Sequence, residues 1–142
     1  MFLNSLNISG SALTAQRLRM DVISQNLANV DTTNVGNGQP YRRKTVEFTE
    51  RTQTTFSGYL DAQIDSPGGV EVSSIGEDPT DFKLEYNPTD PNANAQGYVQ
   101  RPNVDTVTEM TDLMESSKSY SANVTSFNAM KTLVAKALEI GK

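Results

Sequence analysis

The chain has 142 residues, with 12 Lys and Arg against 17 Asp and Glu for a net charge of −5, and it contains no Cys, His or Trp. That composition excludes disulfides, thiolate nucleophiles, Cys/His zinc sites and every Ser-His-Asp or Cys-His mechanism. The acidic balance argues against nucleic acid as a partner, and no apolar run approaches the roughly 18 residues of a membrane span.

Hydrophobic residues make up 36% of the chain, below the roughly 45–50% usual for a globular domain when Gly is counted. Apolar side chains must be concentrated somewhere, or part of the chain is not packed in the monomer. The first ten residues lack a basic region followed by an apolar block, so no cleaved secretory signal is expected. Charge is uneven: residues 1–51 carry six basic and four acidic residues, 52–105 carry two and nine, and 106–142 carry four of each. The acidic middle also holds five of the six prolines and cannot be helical over any length. The expected organisation is a helical segment over 1–33, a β-rich middle with loops over 34–103, and a long helix over 104–142. The fold class is α+β, with long terminal helices pairing as a coiled-coil-like layer around a small antiparallel β domain.

In the first part, Leu6, Leu13, Met20 and Leu27 recur every seven residues. Ile23 and Val30 fill the row offset by three, which Ser9 and Gln16 interrupt. A seven-residue repeat keeps one seam facing a partner helix. Gly10 costs about 1 kcal/mol against Ala and weakens the first turns. The run from Asp31 to Gly38 supplies stop and loop signals.

The middle alternates over 41–48, 70–75 and 82–86, with one more short strand at 97–99 and an ambiguous stretch at 56–64. One small antiparallel sheet of three or four strands is predicted. It is too small to be stable without helix packing.

From 104 to 140 there is neither Pro nor Gly. Leu113, Tyr120, Phe127 and Val134 form one heptad row. Met110, Val124 and Leu138 lie on the row beside it, with Met130 and Ala137 on the other side. Asn103 or Asp105 can cap the start. Early Glu109, Asp112 and Glu115 and late Lys131, Lys136 and Lys142 suit the helix dipole, and Gly141 ends the helix. About 36 helical residues span roughly 54 Å, more than a globule of this size needs. Such a stripe must be buried against something, because propensity alone contributes little.

The candidate chemical sites have plainer readings. Asp90-Pro91-Asn92-Ala93-Asn94 imitates the opening of a calcium loop, but Ala95 and Arg101 stand where Gly and Glu are needed; a tight turn is expected. Asp78 and Asp81, or Glu77 and Asp78, are read as solvated loop charge. Arg42-Arg43-Lys44 is read as an exposed strand edge or as a face meeting acidic surface on a neighbour, such as the acidic middle of another copy. No phosphate-binding loop or nucleophile elbow is present. No catalytic, metal or cofactor site is expected.

Several stretches then carry a resemblance. Ser11 through Gln16, with Ala12, Leu13 and Gln16, and Asn26-Leu27-Ala28-Asn29 followed by Val30-Asp31-Thr32, resemble the N-terminal signature of the bacterial flagellar rod and hook axial proteins. Pro40-Tyr41-Arg42-Arg43-Lys44, Gly69-Val70-Glu71-Val72 and Tyr86 to Pro91 are similar to the proximal-rod branch of that family. So are Gly97-Tyr98-Val99-Gln100-Arg101-Pro102-Asn103-Val104-Asp105, Ser119 to Val124 and the ending Leu138 to Lys142. The resemblance covers nearly the whole chain, weakest over 49–67.

The resemblance implies a non-catalytic structural protein of the flagellar basal body that polymerises helically in the rod, crossing the periplasm or cell wall. It implies contacts with other rod proteins and neighbouring basal-body components, and export through the flagellar type III apparatus. Phe2 and Leu6 are similar to an export signal of that class. Under this reading Leu6, Leu13, Met20, Ile23, Leu27, Met110, Leu113, Tyr120, Val124, Phe127, Val134 and Leu138 form inter-helix and subunit seams. The alternatives are a sibling axial protein of the rod or hook, a secreted coiled-coil adaptor that folds fully alone, and a carboxylate-based enzyme with a cleft near Glu71, Glu77, Asp78 or Glu85.

Overall fold

The computed structural model describes residues 2–36, 38–51 and 68–140. Helix α1 runs Phe2–Ala28, strands follow at β1 Lys44–Glu50, β2 Val70–Glu77, β3 Lys83–Tyr86 and β4 Tyr98–Arg101, and helix α2 runs Thr106–Ile140. The ambiguous stretch at 56–64 and the helix stop at Gly141 lie outside the described residues. No described helix is long and apolar enough to cross a membrane.

Helix α1 is unbroken through Gly10, where a Cβ would meet nothing within 4 Å. Its 27 residues span about 40 Å and the 35 of α2 about 52 Å. The last turn of α1 meets the first turn of α2, and the two helices stay packed along each other, so they run antiparallel. Asp105, not Asn103, caps α2: its Oδ1 accepts the Val107 N–H at 3.1 Å and the Thr108 N–H at 3.0 Å.

The middle forms two separate two-stranded sheets rather than one of three or four strands. β1 and β2 pair antiparallel from Lys44↔Glu77 to Glu50↔Val70, with an irregularity after Glu47. β3 and β4 pair from Lys83↔Arg101 to Tyr86↔Tyr98. The reason lies between them. The Asp78 and Thr80 carbonyls are taken by the side chains of Arg42 and Asn103, and Pro79 has no N–H. The chain there has little left for a ladder, so β2 cannot run on into β3.

Gly69 fixes β2 on α1. Its φ is +91°, and a Cβ would lie 2.4 Å from Ser11 Oγ. Ser11 Oγ donates to the Ile8 carbonyl at 2.8 Å and accepts the Val70 N–H at 3.0 Å. Gly69→Ala therefore meets both a left-handed backbone and a clash. The expected loss is about 1–3 kcal/mol, read as a lower unfolding midpoint and as faster amide exchange at Val70, whose N–H is held by Ser11.

The described apolar core is small: Ala15, Val22, Ile23, Tyr41, Val99 and Val104. Most of it gathers where the C-terminal half of α1, the start of β1 and the start of α2 meet. Buried beside it are polar groups, Asn26 and Glu109 foremost.

Candidate functional site

The junction of α1, β1 and α2 is built on the Asn26 carboxamide. Its Oδ1 accepts the Lys44 N–H at 2.9 Å and the Tyr41 hydroxyl at 3.0 Å. Its Nδ2 donates to the Lys44 carbonyl and to Glu109 Oε2, both at 2.9 Å. The amide thus pairs with Lys44 as a neighbouring strand would and closes the edge of β1 at that point. All four of its hydrogen-bonding positions are used.

Glu109 is 0% exposed. Its Oε1 accepts from Arg43 Nε at 2.6 Å, and the same guanidinium reaches Asp78 and Asp112, each at 3.4 Å. The Arg43 N–H donates to Asn103 Oδ1 at 2.8 Å, and Asn103 Nδ2 holds the Asp78–Thr80 turn. Three carboxylates from two elements thus converge on one cation, which is what allows a charge as buried as Glu109.

Electrostatics follow this geometry. Burial pulls the Arg43 guanidinium down, but the hydrogen bond and charge of Glu109, then of Asp78, outweigh it and raise its pKa above ordinary. Tyr41 is raised by burial first, then by the charges of Glu109 and Glu77. Asp78 is held below 3.8 mainly by the Thr80 N–H and hydroxyl, with Arg43 adding to them. Asp105 is held below 3.8 by the Thr108 N–H and hydroxyl, then by Lys83. Depressed carboxylates stabilise the fold above their unfolded pKa and lose that contribution as pH falls through the folded value. The unfolding midpoint should therefore fall as pH drops below about 4. Asp78→Asn should flatten that acid limb; an unchanged limb would remove Asp78 from the account.

The expectation of solvated loop charge thus fails for Asp78, which is bound to Arg43. Arg42 and Arg43 do meet carbonyls and carboxylates, but those of their own chain. Arg42 donates to the Asp78 and Thr80 carbonyls and stacks 4.3 Å over Phe82. Lys44 makes no ion pair among the described residues; its ammonium lies 6.0 Å from the Tyr41 ring. The expected turn at 90–94 is a pair of side-chain-closed turns, with Asp90 Oδ1 accepting the Asn92 N–H and Asn94 Oδ1 accepting those of Gln96 and Tyr98. No metal-holding group of His, Cys, Asp and Glu occurs among the described residues.

The seam residues divide into two sets. Ile23 is buried, and Leu6, Leu13, Met20, Leu27, Leu113, Tyr120, Val124, Phe127 and Val134 are half-buried. Met110 and Leu138 are not in the helix pair: they are 52% and 70% exposed. With Met110 on the outer surface of α2 stand Val107 at 75%, Met114 at 66% and Leu133 at 59%, whereas Leu138 is exposed on the same helix face as Leu113 and Tyr120. Of the motif residues, Asn26, Tyr41 and Asn103 converge on the junction, Pro102 and Val104 are buried beside it, and Asp105 caps α2. Asn29 bonds the Gln25 carbonyl at the end of α1, Ala12 is half-buried and Ala28 is exposed. Gln16 Oε1 is out of solvent and unpartnered among the described residues. Gly97 has φ +82°, and a Cβ there would press on the Tyr86 ring at 2.9 Å, so the β3–β4 connection packs on it; Tyr98 stacks edge-on to Tyr86. The side chain of Phe2 lies outside the description.

Sequence reasoning missed Glu109. The signal was available: Glu109, Leu113, Ser116 and Tyr120 are spaced as one helix face, so a carboxylate stood on the apolar stripe and required a partner.

Residues 6–34 match the family described as flagella basal body rod protein, and 95–140 match the flagellar basal body rod FlgEFG protein C-terminal family. The chain is 56% identical over 147 residues to the flagellar basal-body rod protein FlgC of Bacillus subtilis, covering 98% of this chain and 97% of that one. The chain belongs to the FlgC family of flagellar basal-body rod proteins. The Escherichia coli O6:H1 member is 43% identical over 140 residues, covering 99% and 98%, and the Borreliella burgdorferi member 41% over 147, covering 96% and 95%. As a FlgC-family protein it is a structural subunit of the basal-body rod. Asn26 lies within the first matched segment and Asn103 and Glu109 within the second, while Tyr41, Arg43 and Lys44 lie between the two.

Proposed function

We propose that this subunit serves in the proximal rod without catalysis, polymerising helically through its terminal helices beside other rod proteins. One observation carries this. Helix α2 is apolar on two faces: Leu113, Tyr120, Val124, Phe127 and Val134 lie on its half-buried face, while Val107, Met110, Met114 and Leu133 face solvent on the other side. A one-sided amphipathic helix is finished by its own domain; one with apolar side chains all round is a helix meant to be surrounded. In the rod, neighbouring helices would supply the second cover, and α1 and α2 would form a coiled-coil-like inner layer around the axis. Contacts of this kind that do not close on themselves generate a helical tube.

Export through the flagellar type III apparatus, with Phe2 and Leu6 as the recognised residues, belongs to the same reading. A chain without cysteine threads a pore without crosslinks. The test is amide exchange compared between dilute chains and assembled rods. Added protection over 107–138 on assembly, with little change at the Asn26–Glu109 junction, is the expected result. Equal exchange over α2 in both states would overturn the reading.

A further inference from the structure

We infer that β1 of one copy pairs edge to edge with β2 of a second copy, giving a sheet that continues across the subunit boundary. The inference deepens the rod reading and rests on it. The β1–β2 sheet has two strands and therefore two outer edges. At Lys44 the β1 edge is closed by Asn26. Backbone groups alternate along a strand, so those of Val46 and Phe48 point to the same side, and no hydrogen bond from them is made to another element among the described residues. Beside that open edge lies a cavity of about 290 Å³ between α1 and β1. Two of its lining residues, Arg19 and Lys44, carry charges without a carboxylate within 4.0 Å among the described residues, whereas the charge of Arg43 is already met. The open edge, the cavity and the two cations together fit an extended acidic segment.

The chain carries such a segment. Alternation puts Ile75 and Glu77 on the outer edge of β2, since Thr45↔Gly76 and Glu47↔Ser74 face inward. Ile75 is 49% exposed, and the Glu77 carboxylate has no ion pair among the described residues. A second copy would lay Ile75 against Phe48 and bring its Glu77 to Arg19, with Lys44 between that carboxylate and the Glu77 of its own chain. A two-stranded ribbon is marginal by itself, and a third strand stabilises it. The contact uses different surfaces on the two copies, so it is heterologous, the kind that builds a helical filament when its rotation does not close a ring.

Because the chain has no Cys, the test is direct. Chains bearing only Phe48→Cys are mixed with chains bearing only Ile75→Cys and oxidised under assembly conditions. A disulfide-linked dimer is expected from the mixture and not from either chain alone. Adding Arg19→Glu and Lys44→Glu to the first chain should lower the yield at least tenfold, and adding Glu77→Lys to the second should restore it. Assembly without this crosslink, or with the yield of a control pair at Ser24→Cys and Ser117→Cys, would overturn the edge pairing and leave the rod reading standing. Capture of Phe48→Cys by a different rod protein, or no crosslink and no assembly, would also overturn it. The rod reading falls separately, on the exchange behaviour of α2.

Discussion

Replacing Glu109 by Ala lowers the unfolding midpoint of the dilute chain by on the order of 10 °C, the expected consequence of a loss near 3–4 kcal/mol. The side chain is fully buried and accepts from Arg43 at 2.6 Å and from Asn26 at 2.9 Å. Its removal strands one Asn26 N–H and leaves Arg43 with Asp78 and Asp112 alone, each at 3.4 Å. Removing one member of a buried pair costs far more than the pair is worth, because the remaining group keeps its desolvation penalty. Glu109→Gln keeps the shape and an acceptor oxygen, so its loss should be less than half as large. The measurement is thermal unfolding followed by circular dichroism at pH 7. Equal midpoints for Glu109→Ala and the parent chain would show that the junction does not hold the helices to the sheets.

The second large effect is on assembly, with stability unchanged. Met114→Asp combined with Leu133→Asp places two charges on the outer face of α2, where both parent side chains are more than half exposed. In the lone chain they remain in water, so the unfolding free energy should change by less than about 0.5 kcal/mol. In a rod they would be enclosed by neighbours, where an unpaired charge costs several kcal/mol. Loss of detectable assembly, and of motility in a strain lacking the native gene, is the expected result. Normal motility with this double variant would mean that the outer face of α2 stays in water. Phe127→Asp is the contrasting case. Phe127 is half-buried in the lone chain, so that variant should lower stability as well as assembly.

The sequence was informative wherever the signal is local. The heptad rows located both helices, period-two alternation located three of the four described strands, and the fourth falls at the short strand expected over 97–99. The side chains of the Asp90 and Asn94 turns bond within four residues of themselves, so their geometry too was readable from residue type. Asn26, Tyr41 and Asn103 were recognised only as members of motifs. Nothing in those short stretches says that one carboxamide will join them.

What the sequence by itself determined is the division into helix, short strands and helix, and membership of a rod-protein family, because periodicity and motif spacing are properties of neighbouring residues. What only the tertiary structure decided is which charges meet. Arg43 and Glu109 are 66 residues apart, and Arg42 and Arg43 both bond groups of their own chain. The split of the strands into two sheets, and the exposure of Met110 and Leu138, were settled in the same way. A guanidinium attracts any carboxylate, so its partner is chosen by the chain reversals that bring α1, β1 and α2 to one point.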